Sequence, residues 1–109
     1  MTRVTNRQAI EKIAKREEFE NNNGTFKGYW VKNIATLPRR WKESDTGRSA
    51  YDMLNVNFLG VRQDVYVVTS YDVVIAMFTG RSFSVTNDKW SVTTSKHTNF
   101  AAQGFARAV

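Results

Sequence analysis

The chain has 109 residues, with sixteen lysines and arginines against ten aspartates and glutamates, one histidine and no cysteine. This length suits a single domain over residues 1–109, and the lack of cysteine excludes disulfides, thiolate metal sites and cysteine nucleophiles. The longest apolar run, at 73–78, has six residues, whereas a membrane-spanning helix needs about 20. The first ten residues lack the apolar centre of a signal peptide. We therefore predict a protein without a membrane segment that works in a cytoplasm.

The positive charge is concentrated in the first half of the chain. Residues 1–50 carry eleven basic and six acidic side chains, a net charge of +5, whereas residues 51–109 carry five and four, a net charge of +1. A basic surface of this kind favours a polyanionic partner. That partner is either a nucleic acid or a protein with an acidic surface.

The first predicted element is a helix that begins after Thr5. Thr5 and Gln8 have the spacing of a capping box. Phe19 falls on the opposite side of the helix from its apolar stripe, so we expect the helix to end near Glu17. The polar run 21–24 then predicts a turn. The apolar residues that share one helical face are Ala9, Ile10, Ile13 and Ala14.

The middle of the chain is predicted to hold a strand, a long loop and a second strand. Residues 25–34 are typical of a strand with a bulge near Gly28. Residues 37–49 contain the only proline and many polar side chains, which is typical of a long functional or mobile loop. In residues 50–59 the later apolar and polar side chains alternate, which predicts a short strand.

Residues 64–94 are predicted to form the centre of the fold, as an antiparallel meander. Runs 65–71 and 73–78 are apolar on both faces, which favours central strands. Runs 82–86 and 90–93 alternate, so each is expected to have one polar face. The pairs of residues that predict turns between these strands are 71–72, 79–80 and 87–88.

A last helix is predicted to begin at Thr94 or Ser95, with Gly104 either allowing close packing or weakening its last turn. The fold class is therefore α+β, a twisted antiparallel β-meander sheet of four to six strands. The N-terminal and C-terminal helices are expected to cover one of its faces. The side chains predicted to be largely buried are Tyr66, Val68, Ile75, Ala76, Phe78, Phe100 and Phe105.

The first candidate site is the predicted start of the last helix, at Thr94, Ser95, Lys96 and His97. Capping hydroxyls, free amides and the positive end of the helix dipole suit an anion there. Cations in a first helical turn are unfavourable by about 0.3 to 1 kcal/mol each, so their presence favours an anion site. A helix cap without any ligand explains the hydroxyls equally well.

The second candidate site is a basic and aromatic cluster. Cations neutralise phosphates and exposed aromatic rings stack on bases, although the same mixture also makes protein-interaction hot spots. Tyr29 and Trp30 point to opposite faces of a strand, so at least one belongs to a core. Trp41 is the aromatic residue that is hardest to place in a core. The members of the cluster are Lys27, Tyr29, Trp30, Lys32, Arg39, Arg40, Trp41 and Lys42.

No catalytic constellation is visible in the sequence. His97 is the only histidine, and no nucleophile elbow, phosphate loop or metal-ligand spacing accompanies it. One histidine without cysteine does not build the usual transition-metal site. We therefore expect a protein that is not an enzyme and that uses no cofactor or metal.

Residues 67–76 and 89–97 resemble a group of small uncharacterised proteins encoded by actinobacterial phages, especially mycobacteriophages. The shared pattern is Ser-Tyr, three residues, Ile-Ala, and then Tyr or Trp before Ser-Val-Thr-Thr-Ser-Lys-His. The chain has Asp72-Val73 where the group usually has Gly-Thr. The resemblance implies a phage origin and action in the cytoplasm of an infected bacterial host, through binding rather than catalysis.

Two functions are therefore left open. One is a non-enzymatic phage accessory protein that binds nucleic acid through its basic and aromatic surface. The other is a phage effector that binds and inhibits a host bacterial protein with an acidic surface. The residue pattern is compatible with DNA or RNA and with any oligomeric state.

Overall fold

The computed structural model describes residues 2–55, 64–79, 82–88 and 91–107. Within these ranges the predicted α+β fold is confirmed. The strands are Thr2–Val4 (β1), Phe19–Asn21 (β2), Phe26–Val31 (β3), Val65–Ser70 (β4), Val73–Thr79 (β5) and Ser82–Val85 (β6). The helices are Asn6–Lys15 (α1), Asp45–Asn55 (α2) and Val92–Arg107 (α3), with short 3₁₀ helices at Ile34–Thr36 and Trp41–Glu43. None of the helices in the described ranges is long and apolar enough to cross a membrane.

The six strands form one sheet in the order β1 to β6. β1 lies parallel to β2, because α1 connects them as a crossover. All the other neighbouring strands in the described sheet pair antiparallel. The predicted meander is confirmed for β4, β5 and β6, whereas the parallel edge strand β1 was not predicted.

The capping box predicted for the first helix is present. The Thr5 hydroxyl accepts from the Gln8 amide at 3.1 Å, and the Gln8 side chain accepts from the Thr5 amide at 3.0 Å. Helix α1 then stops at Arg16, whose backbone is left-handed with φ 54°. The predicted end near Glu17 is therefore correct, and Phe19 is buried on β2.

Helices α1 and α3 cover the first face of the sheet. They touch at Gly104, where a Cβ atom would lie 2.5 Å from Cγ2 of Ile13, so close packing is the role of this glycine. Five of the side chains predicted to be buried are fully enclosed, but Phe78 and Phe100 are only half-buried. The fully enclosed side chains of this core include Ile13, Phe19, Phe26, Tyr66, Val68, Ile75, Ala76, Ala101 and Phe105.

Helix α2 covers the second face of the sheet, and the sequence does not predict it. The predicted loop at 37–49 and the predicted strand at 50–59 are both wrong, since a helix runs from Asp45 to Asn55; residues 56–59 lie outside the described residues. A 3₁₀ helix at Trp41–Glu43 interrupts the rest of the predicted loop. The second core lies under α2 and contains Val31, Ala50, Val65, Val67, Val74 and Met77.

The bulge predicted near Gly28 lies elsewhere. The register between β4 and β5 shifts between Val68 and Thr69, which leaves Ile75 as the extra residue. Ile75 and Ala76 consequently belong to the same core, as expected for two adjacent residues at a bulge. Gly28 pairs regularly with Val68, and a Cβ atom there would overlap the Phe19 and Tyr66 side chains.

Candidate functional site

Helix α3 begins earlier than the sequence predicts. Its first residue is Val92, so the strand predicted at 90–93 is wrong at Val92, while Trp90 lies outside the described residues. The Ser91 hydroxyl accepts from the Thr94 amide at 3.3 Å, and the Ser91 carbonyl accepts from the Ser95 amide at 2.9 Å. Ser91 is therefore the capping residue, and the predicted cap at Thr94 or Ser95 is wrong.

The earlier start changes the role of the four predicted site residues on α3. Lys96 and His97 lie in the second turn, beyond the turn in which the helix dipole acts strongly. Ser95 and Lys96 are exposed, whereas Thr94 and His97 face inward with 5% and 1% of their surface exposed. The four residues therefore do not form one anion-binding corner.

His97 belongs to the core under α3. Its ring stacks on Phe26, with centroids 4.4 Å apart. Burial lowers the pKa of the imidazole below its usual value of 6.5, because a charged ring loses its hydration there. His97 is consequently neutral at pH 7.

Three hydroxyl groups connect this imidazole to the protein surface. Oγ of Ser70 lies 2.7 Å from Nδ1 of His97 and 3.0 Å from Oγ1 of Thr94. Oγ of Ser91 lies 3.3 Å from Oγ1 of Thr94. Ser70 and Thr94 are buried and Ser91 is exposed, so the chain of hydroxyls leads from the solvent to the ring.

The outer end of this hydroxyl chain lies in a pocket of about 340 Å³. Its mouth includes Arg40, whose Nη1 donates to the Tyr71 carbonyl at 3.2 Å. The two candidate sites, predicted to be independent, thus meet through Arg40 and Thr94. We call this the hydroxyl pocket; its lining residues are Arg40, Ser70, Tyr71, Val73, Ser91 and Thr94.

An ion pair fixes Arg40 at the mouth of the hydroxyl pocket. Nε and Nη2 of Arg40 each donate to the Glu43 carboxylate at 2.7 Å. This bidentate hydrogen bonding raises the pKa of Arg40 and lowers that of Glu43. The two side chains are 42% and 46% exposed, so water screens the pair and a competing anion can reach the guanidinium.

The hairpin turn beside the hydroxyl pocket has an unusual backbone. Tyr71 and Asp72 connect β4 to β5 with φ 51° and 66°, the two left-handed positions of a type I′ turn. Glycine and asparagine usually take such positions. The Tyr71 ring is 46% exposed and its centroid lies 6.3 Å from that of His97.

A family model described as a family of unknown function, DUF8033, matches residues 4–108. The chain belongs to DUF8033. No curated protein and no solved structure matches it. In this DUF8033 chain the stretches at 67–76 and 91–97 meet at the hydroxyl pocket: the first supplies Ser70 and Tyr71 to its lining, and the second supplies Ser91 and Thr94.

The basic and aromatic cluster of the DUF8033 chain is more packed than predicted. Trp41 stacks on Tyr51 with ring centroids 4.3 Å apart, and Nζ of Lys42 lies 5.5 Å from the indole centroid. Tyr29 packs on the second core and Trp30 on the first. Trp41 is thus half-buried rather than free in a loop.

Burial also controls the ionisation of Tyr29. Burial and the nearby Asp72 carboxylate raise its pKa to about 12, which keeps the phenol neutral. Among the described residues of this DUF8033 protein, no group of three or more histidines, aspartates or glutamates is placed to hold a metal ion.

Sequence reasoning missed Ser70, Tyr71 and Ser91 as site residues. Ser70 and Tyr71 lie in a stretch that we interpreted as strand and turn, and Ser91 in a predicted strand. The one available signal was their presence in the two stretches that we interpreted as resembling phage proteins.

Proposed function

We propose that this DUF8033 protein is a non-enzymatic binding module that contacts the phosphate backbone of a nucleic acid. The contact surface is the basic ridge, which we define as Arg39, Lys42 and Arg48. All three side chains are exposed. The ion pairs among the described residues use other cations, namely Arg3, Lys12, Arg40 and Arg107.

The uncompensated charge of the basic ridge is the observation that carries this proposal. Nη1 of Arg48 donates to the Lys42 carbonyl at 2.9 Å, and the stack of Trp41 on Tyr51 holds the same segment against α2. The cations are therefore presented by an ordered surface. An ordered surface loses less conformational entropy on binding than a mobile loop.

Contacts to phosphates, rather than stacking on bases, are expected to dominate. Trp41 uses one ring face on Tyr51, and Tyr29 and Trp30 are half-buried. Phosphate contacts carry no direct sequence information. Binding should consequently be nearly independent of sequence and strongly dependent on salt.

The experiment compares two double variants of equal charge by titrating labelled DNA and RNA at several salt concentrations. Arg39→Gln/Lys42→Gln removes two ridge cations, whereas Arg7→Gln/Lys15→Gln removes two exposed cations of α1. Each lost phosphate contact should reduce the salt slope by about 0.7 to 0.9. Equal weakening by both variants would mean that only net charge matters and would reject the basic ridge.

The resemblance to actinobacterial phage proteins supports a phage origin and action in the cytoplasm of an infected bacterial host. In that setting the nucleic acid is the phage or the host genome or its transcripts.

The second candidate function is a phage effector that binds and inhibits a host protein with an acidic surface. One observation favours it: Tyr71 and Val92 are 46% and 76% exposed. Tyr71 lines the hydroxyl pocket together with Arg40, and Val92 follows the lining residue Ser91 in the chain. Tyrosine and arginine are the side chains most enriched at interface hot spots. An interface with an apolar centre is less sensitive to salt than phosphate contacts are.

A pull-down from host lysate, with and without nuclease, separates the two functions. Val92→Asp should abolish capture of a protein partner, whereas Ile34→Asp changes an exposed apolar residue elsewhere and should not. Capture that disappears with nuclease, or that both variants reduce equally, would argue against the effector.

A further inference from the structure

The hydroxyl pocket has the chemistry of an anion site. Its lining contains a guanidinium and three hydroxyls, from Arg40, Ser70, Ser91 and Thr94, and no carboxylate of the described residues. The exposed Glu43 carboxylate is paired with Arg40. A larger pocket on the described surface, lined in part by Arg16 and Lys32, contains three carboxylates as well, which disfavour an anion. Ser70 and Thr94 are 0% and 5% exposed, so two of the hydroxyls are held in place by the core.

Ser70 belongs both to the hydroxyl pocket and to the surroundings of His97. It lines the pocket, and its Oγ lies 2.7 Å from Nδ1. Among the described residues, the rings of Phe26 of β3 and Tyr71 of the turn lie near the imidazole, and Thr94 of α3 contacts Ser70. Tyr71 is the titratable group among them, and no carboxylate contributes to the ionisation of His97.

The donors around the hydroxyl pocket come from three directions. Arg40 precedes a 3₁₀ helix, Ser70 ends β4, and Ser91 and Thr94 lie at the start of α3. A tetrahedral phosphate has acceptor oxygens in several directions, whereas a carboxylate offers two in one plane. The arrangement therefore suits a phosphate group better than a carboxylate.

We propose that the hydroxyl pocket binds a phosphate group, and that binding is coupled through Ser70 to the uptake of a proton by His97. Neutral His97 has a hydrogen on only one ring nitrogen, whereas the cation carries one on both. A hydrogen on Nδ1 donates to Ser70, whose hydroxyl then donates to Oγ1 of Thr94, so the Thr94 hydroxyl is free to donate towards the pocket. In the neutral tautomer with a bare Nδ1, the Ser70 hydroxyl donates to the ring and accepts from the Thr94 hydroxyl, so Thr94 turns an oxygen lone pair towards the anion.

Protonation of His97 and binding of the anion therefore favour each other. A positive charge on His97 attracts an anion in the hydroxyl pocket, and the anion stabilises the cation in a site that otherwise excludes charge. Linkage makes the effect reciprocal: the factor by which the anion favours protonation equals the factor by which protonation favours the anion. This inference does not depend on the basic ridge, because none of the ridge residues lines the pocket.

The test follows the imidazole by NMR in protein labelled at histidine. The chain has one histidine, so its signals are unambiguous. The pH titration of His97 is recorded at constant ionic strength, without and with inorganic phosphate, and again with sulfate, whose charge stays constant over this range. Bound anion should raise the titration midpoint by on the order of one pH unit. An unchanged midpoint at saturating anion would overturn the proposal.

Two charge-matched variants locate the site. Arg40→Gln should weaken phosphate binding, and Arg7→Gln, which removes an exposed cation of α1 outside both the pocket and the basic ridge, should not. If both weaken binding equally, the contact is an adventitious ion only. Ser91→Gly is the alternative should Arg40→Gln fail to fold, because it removes a pocket hydroxyl while glycine remains an acceptable helix cap.

A variant and two oligonucleotides complete the design. Ser70→Ala should reduce the response of His97 to the anion to what direct attraction between the two charges supplies, and a full response in that variant would exclude Ser70 as the link. Oligonucleotides of one sequence, with and without a 5′-phosphate, identify the source of the phosphate. A shift of His97 with the phosphorylated strand alone assigns a terminal phosphate, an equal shift with both assigns the internal backbone, and a shift with inorganic phosphate alone assigns a free small anion.

Discussion

The rings of Phe26 and His97 stack face to face, with centroids 4.4 Å apart and planes within 4° of each other. The stack places the single imidazole of the chain inside the core, where burial lowers its pKa. His97 thus contributes to the fold as a flat, neutral ring with one hydrogen bond to Ser70.

The first prediction is that stability falls as the solution becomes mildly acidic. The unfolded chain binds a proton near pH 6.5, and the folded chain does so only at lower pH, so the unfolded state holds more protons in between. The stability that neutral His97 contributes is fully present above about pH 6.5, and it is lost as the pH falls towards the pKa of His97 in the folded chain. Urea unfolding from about pH 8 to pH 5 measures it. His97→Gln should be less stable, but its free energy of unfolding should not change with pH over this range. A wild-type protein whose free energy of unfolding is equally independent of pH would contradict the prediction.

The second prediction concerns the contact of α1 with α3. Gly104→Ala should lower the free energy of unfolding by about 1 to 3 kcal/mol, because its Cβ would lie 2.5 Å from Ile13 and the helices must move apart. In a double-mutant cycle with Ile13→Ala, the penalty of Gly104→Ala should shrink, since the opposing side chain is gone. Additive losses would show that the penalty does not come from Ile13, and a gain in stability would show that the higher helix propensity of alanine outweighs the packing.

The third prediction is a stabilising change at the hairpin turn. Asp72 has φ 66°, a conformation that glycine adopts without a steric penalty. Asp72→Gly should therefore raise the free energy of unfolding by about 0.5 to 1 kcal/mol. Asp72→Ala removes the same charge but keeps a Cβ atom, so it should not stabilise the protein. Equal gains in both variants would assign the effect to charge.

Local signals were enough to predict much of this fold. The spacing of Thr5 and Gln8 marks the start of α1 because both partners of the capping box are close in sequence. The two-sided apolar runs of β4 and β5 predict central strands because a helix covers each face.

Helix α2 could not be predicted because its stabilising contacts are distant in sequence. The Thr46 hydroxyl donates to the Val74 carbonyl. Asp45 accepts from the Thr86 hydroxyl and the Asn87 amide. Although burial opposes its ionisation, these hydrogen bonds together lower the pKa of Asp45. Its polar first turn, with a glycine, has the composition of a loop, so tertiary contacts decide its conformation.

The hydroxyl pocket could not be predicted from the sequence either, because its contacts also join residues that are distant in sequence. Ser70 and His97 are 27 residues apart, and the sheet register together with the start of α3 brings them into contact. Arg40 joins them only because the predicted loop folds back to the Tyr71 carbonyl.

The fourth prediction concerns Ile75, the extra residue at the bulge in β5. Ile75 is fully buried in the first core, so Ile75→Ala should cost about 2 to 5 kcal/mol. Met53→Ala on α2 shortens a side chain that is 36% exposed and should change stability by less than about 0.5 kcal/mol. Chemical denaturation of both variants checks the comparison, and a loss at Ile75 no larger than at Met53 would contradict the assigned core.

The fifth prediction separates packing from base stacking at Trp41. Because its ring lies on Tyr51 and beside the second core, Trp41→Ala should lower the free energy of unfolding by about 2 kcal/mol. Trp41→Leu keeps apolar contact with these neighbours, so it should lower the free energy of unfolding by less. If phosphates carry the binding, Trp41→Leu should bind single-stranded nucleic acid as tightly as the parent protein. A base-stacking residue would instead lose about 1 to 3 kcal/mol of binding free energy, which fluorescence anisotropy at fixed salt resolves.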